Sequence, residues 1–93
     1  IIRGRYREST SYQKLLKAGD IYEFSINLWT TGNVFLKGHR IRVEISSSNF
    51  PRFTRNLNTG GNNFDESEGV VAINQIHHNA EYPSQIRLPI VKN

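Results

Sequence analysis

The stretch Gly38-His39-Arg40-Ile41-Arg42-Val43-Glu44-Ile45-Ser46-Ser47-Ser48-Asn49-Phe50-Pro51-Arg52-Phe53-Thr54-Arg55-Asn56-Leu57-Asn58-Thr59-Gly60 decides how this chain is read. Ile41, Val43 and Ile45 alternate with Arg42, Glu44 and Ser46, so one face is apolar and the other polar. That is the period of a half-buried strand. Beyond Ile45 the alternation stops. Three serines, an asparagine and Phe50-Pro51-Arg52-Phe53 lead into a loop rich in Asn and Gly.

Working outward, the same period recurs. Upstream, Tyr22, Phe24, Ile26 and Leu28 alternate with Glu23, Ser25 and Asn27, which predicts a strand. Ile2, Gly4 and Tyr6 oppose Arg3, Arg5 and Arg7, a short strand with a basic face. Between these, Glu8 to Lys17 reads as a loop with at most one helical turn, because Ser9, Thr10 and Ser11 suit loops and caps better than a helix interior. Ala18-Gly19-Asp20 and Lys37-Gly38 are turn signals. Downstream, the acidic stretch from Asn62 to Gly69 reads as a mobile loop. Val70 to His78 and Ile86 to Ile90 read as strands, the last at an edge because Pro89 cannot donate to a ladder. Five strands spaced by Gly, Pro and Asn turns predict an antiparallel all-β sandwich or barrel.

Composition limits the function. A chain of 93 residues is one domain at most. Without cysteine it has neither disulfides nor thiolate metal sites. No apolar run approaches the roughly 20 residues of a membrane helix. The start, Ile1-Ile2-Arg3-Gly4-Arg5, is not a signal peptide and reads as a cut from something longer. The net charge of +4 comes from arginines alternating along strands, without a block of like charge. That describes a solvated or interdomain face, and neither a nucleic-acid nor a membrane partner is expected.

Candidate chemistry is sparse. Ser46, Ser47 and Ser48 lie near histidines in sequence, but none sits in Gly-x-Ser-x-Gly. They read as strand-end serines bonded to nearby backbone. His77 and His78 are adjacent and point to opposite strand faces, so they do not share a metal. His39 follows Gly38 and reads as a turn-end hydrogen-bonding residue. Asp65, Glu66 and Glu68 lack the alternating ligand pattern of a calcium loop. No catalytic, cofactor or metal residue is expected. Phe50, Pro51, Arg52, Phe53, Arg55, Asn56 and Asn58 form the candidate site, an interdomain loop. Its phenylalanines would plug a seam while its arginines reach carboxylates or carbonyls.

The run from Gly38 to Gly60 closely resembles the C-terminal domain of the X-Pro dipeptidyl-peptidase and cocaine-esterase-like (CocE/NonD) serine hydrolases. Ile2 to Arg7, Gly19-Asp20-Ile21-Tyr22, Leu28 to Phe35, Ile76-His77-His78, Tyr82-Pro83-Ser84 and Leu88-Pro89 match in the same order. The resemblance implies an antiparallel jelly-roll (galactose-binding-like) β-sandwich, with residues 1–93 forming the C-terminal part of that single non-catalytic domain. It also implies a partner, an α/β-hydrolase domain of the parent chain. That domain carries the Ser-His-Asp triad and hydrolyses esters, amides or Xaa-Pro peptides, so no catalytic residue falls in this chain. Because a jelly roll has about eight strands, five would leave edges and apolar faces open, and self-association of the fragment is expected. Two other classes stay open on the residues alone. One is a free-standing carbohydrate- or ligand-binding jelly-roll module, for which Trp29 is the only tryptophan. The other is a nucleic-acid-binding β domain using the Arg/Phe loop.

Overall fold

Regular secondary structure is confined to one turn in the computed structural model, which describes residues 1–92. A 3-10 turn, η1, spans Gly4–Tyr6. None of the five expected strands forms among the described residues, and the jelly-roll β-sandwich is overturned. The physical reason lies in the backbone. A ladder needs hydrogen bonds repeating at alternate residues along two segments. Here Lys14 N–H to Arg5 O at 2.8 Å and Val70 N–H to Leu57 O at 2.8 Å join separate loops without a repeating ladder among the described residues. The alternation defines faces, but no second segment registers against them.

The chain divides into two units, Ile1–Thr54 and Arg55–Asn93. In the first, the expected amino-terminal strand is replaced by η1. Tyr6 N–H donates to Arg3 O at 2.9 Å and Arg7 N–H to Gly4 O at 3.3 Å. Parity predicted a free basic face, yet Arg7 folds back to donate to Gly4 O at 3.1 Å. Its guanidinium lies 4.8 Å from the Tyr22 ring centre. Gln13 joins Arg5 and Tyr6, and Lys14 binds the Glu8 carboxylate at 2.8 Å. These contacts make Glu8 to Lys17 a loop without the helical turn allowed for it. Gly4 packs closely enough that a Cβ there would sit 2.9 Å from Leu16 Cδ1.

Both glycine turns form as expected. Asp20 N–H donates to Lys17 O at 3.2 Å, and His39 N–H to Leu36 O at 3.0 Å. Gly19 and Gly38 occupy the third positions with φ of 88° and 84°, the left-handed backbone a type II turn requires there. His39 is thereby the turn-end residue predicted for it.

Among the described residues there is no buried core: most large apolar residues stand open to solvent, and Tyr6, Tyr22, Phe53 and Leu57 are half-buried. No helix among the described residues is long and apolar enough to cross a membrane.

Candidate functional site

The candidate loop begins in the first unit. Phe53 N–H donates to Asn49 O at 3.0 Å and closes one turn around a cis Phe50–Pro51 bond. Ahead of it no strand ends, but Ser46 and Ser48 bond to nearby backbone as expected. Ser46 Oγ donates to Ser48 O at 3.0 Å and accepts Ser48 N–H at 3.3 Å, while Ser48 Oγ accepts Phe50 N–H at 3.3 Å. A hydroxyl used twice in its own turn is not a poised nucleophile. Phe50 stays exposed and Phe53 is half-buried.

Arg52, expected to reach a carboxylate or carbonyl, lies instead against two aromatic rings. Its guanidinium carbon lies 6.0 Å from the Trp29 ring centre and 5.8 Å from that of Phe53, within cation–π range. These three side chains border an open cleft of about 520 Å³ whose other walls include Ile1, Ile26 and Leu28. Trp29 is 79% exposed and has φ of 65°. A left-handed backbone costs an ordinary residue about 1–2 kcal/mol. Asn27 Oδ1 holds it there by accepting Trp29 N–H at 2.7 Å. The signal for Trp29 was present in retrospect: a lone tryptophan at the point where the alternation from Tyr22 to Leu28 ends.

Arg55, Asn56 and Asn58 belong to the second unit, where asparagines build a clasp. Asn58 has φ of 60°, a conformation asparagine tolerates better than most residues. Its N–H donates to Asn56 Oδ1 at 3.1 Å, and Asn56 Nδ2 donates to Asn58 Oδ1 at 2.8 Å. Asn58 Nδ2 reaches Val70 O at 2.9 Å, beside the Val70–Leu57 backbone bond. Asn63, which no sequence pattern singled out, donates from Nδ2 to Arg55 O at 3.0 Å and accepts Leu57 N–H. Thr59 Oγ1 donates to Glu66 Oε2 and accepts Gly61 N–H at 3.2 Å. The acidic loop is thus tied into the clasp through Glu66.

His77 meets the Tyr82 ring edge-on at 5.5 Å, and its carbonyl accepts the Ser84 hydroxyl. Among the described residues no group of three His, Cys, Asp or Glu side chains is placed to hold a metal. The Lys14 ammonium hydrogen-bonded to Glu8 holds its carboxyl below the usual glutamate range.

Comparison with known proteins adds what the geometry does not. A model of the X-Pro dipeptidyl-peptidase C-terminal non-catalytic domain matches residues 1–87. The chain is 52% identical over 94 residues to a cocaine esterase of Rhodococcus sp. (strain MB1 Bresler). That match covers 99% of this chain and 16% of the relative, so the chain spans about one sixth of its length. No solved structure matches.

Proposed function

Because the chain belongs to the family of X-Pro dipeptidyl-peptidase C-terminal non-catalytic domains, we propose that it is a packing segment of a larger serine hydrolase. In this reading an α/β-hydrolase domain elsewhere in the parent performs ester, amide or Xaa-Pro peptide hydrolysis. The present chain covers part of that domain's surface. The loop from Phe50 to Asn58 lies at the seam and helps wall the substrate pocket.

The observation that supports this most directly is the unburied apolar surface. Phe24, Ile26, Leu28, Ile41, Val43 and Ile45 are all exposed, although their spacing marks one-sided burial. Apolar residues spaced for one-sided burial and left open call for cover by a larger body.

The test is reconstitution. The 93-residue chain is expected to show no turnover of p-nitrophenyl acetate, and the remainder of the parent is expected to bind it and gain activity or thermal stability. A chain that hydrolyses the ester by itself, or folds as a monomer and ignores the remainder, overturns the reading. Alanine at Phe50 and Phe53 in the full-length parent tests the loop. A change in KM across substrates of different size is expected if the loop walls the pocket, and an unchanged KM removes that role.

A further inference from the structure

We infer that the cleft between Trp29 and Arg52 receives an acidic side chain from the parent's catalytic part, with an aliphatic neighbour of that acid seated on Ile26, Leu28 and Phe53. This rests on the packing reading above and names the chemistry of the partner. Among the described residues Arg52 has the only charged side chain lining the cleft. Its guanidinium faces aromatic rings. Arg7 and Lys14 pair with Glu8, and Arg42 with Glu44; no carboxylate of the described residues pairs with Arg52. A guanidinium backed by two rings is held in a fixed plane and presents its N–H fork to a carboxylate from outside.

The walls specify the rest. Ile26, Leu28 and Phe53 beside a single cationic side chain, with Ser25, Asn27 and Asn49 also on the walls, suit an apolar side chain next to an acid rather than a run of acids. Trp29 is held in its left-handed conformation by Asn27. Strain of this kind persists where the neighbouring structure over-determines it and clusters at contact sites. The indole lies open, with its exposed face beside the cation it would help to desolvate.

Two measurements on the full-length parent test this. In an Arg52→Lys variant, a water-soluble carbodiimide condenses the introduced amine with any carboxylate in contact. An amide forms, and the carbodiimide takes up the water as a urea. Peptide mapping is expected to find that amide joined to an Asp or Glu outside this chain. Radical footprinting is expected to show Trp29 oxidised about tenfold less in the folded parent than in the same parent unfolded in denaturant, as for a side chain in an interface core. Equal oxidation of Trp29 in both overturns the inference, as does an amide formed only with this chain's own acids. Protection of Trp29 without any amide removes the acidic partner and overturns it as well. If the packing reading itself fails, no residue of the chain is protected in the parent. If only this inference fails, other apolar residues are protected and Trp29 is not.

Discussion

Replacing Asn58 separates the two roles it plays in the second unit. Its side chain donates to Val70 O and accepts from Asn56, and its backbone occupies φ of 60°. Both bonds are exposed, so each is worth about 0.5 kcal/mol, the low end for a net protein hydrogen bond. Asn58→Gly removes both bonds but keeps the backbone conformation, for a loss of about 1 kcal/mol. Asn58→Ala removes both bonds and adds about 1–2 kcal/mol of left-handed strain. Glycine's greater freedom in the unfolded chain offsets about 0.5–1 kcal/mol of that difference. Alanine is therefore expected to be worse than glycine by roughly 1 kcal/mol, or about fivefold in the opening equilibrium of the clasp. Amide hydrogen exchange at Val70, whose N–H donates to Leu57 O at 2.8 Å, reads that equilibrium. Exchange is expected to be slowest in the parent sequence, faster with glycine and fastest with alanine. If alanine exchanges no faster than glycine, the positive φ is not what Asn58 supplies. If neither variant differs from the parent sequence, the clasp does not hold Val70.

Gly69→Ala is expected to open the same clasp by about 1 kcal/mol, because its Cβ would lie 3.1 Å from the backbone oxygen of Leu57; unchanged Val70 exchange would contradict that. Glu8 carries a pH dependence whose sign is fixed by its lowered pKa. The Glu8–Lys14 contact is complete above the ordinary glutamate range and is lost as pH falls through the lowered value. Lys14→Gln is expected to move the Glu8 carboxyl titration, read by carbon NMR, up toward the ordinary value, and an unmoved midpoint would discount the hydrogen bond. The 93-residue chain alone is expected to self-associate through its exposed apolar faces, and size exclusion with light scattering showing a monodisperse monomer would count against this.

The local features were legible, and the reason is range. Gly19 and Gly38 close turns over four residues. Ser46 and Ser48 bond within two residues, and Asn56 with Asn58 does the same. Such geometry depends only on neighbours in sequence. The reading failed where a partner had to come from farther away. Arg7 alternates with Tyr6 as in a strand, but Gly4 O, Lys14 O and the Tyr22 ring decide its place. Trp29 and Arg52 are 23 residues apart and meet across a cleft that no periodicity encodes. Asn63 is one asparagine among several until Arg55 O and Leu57 N–H select it. The strands failed for the same reason: alternation describes what a segment would present, and pairing requires a second segment in register.

The same distinction of range bears on function. Short polar bonds such as those of the asparagine clasp contribute about 0.5–1.5 kcal/mol each. Ordering one residue's backbone costs about 1–2 kcal/mol. Local bonds alone therefore do not fix a chain of this length, and the term that normally does is apolar burial. Here that term is unspent: Ile41, Val43 and Ile45 keep their one-sided spacing and remain exposed. A segment with a patterned apolar face and no core of its own needs that face covered from outside. In the packing role proposed above, the rest of the parent supplies that cover for Ile41, Val43 and Ile45, and Arg52 is the position proposed to meet its charge.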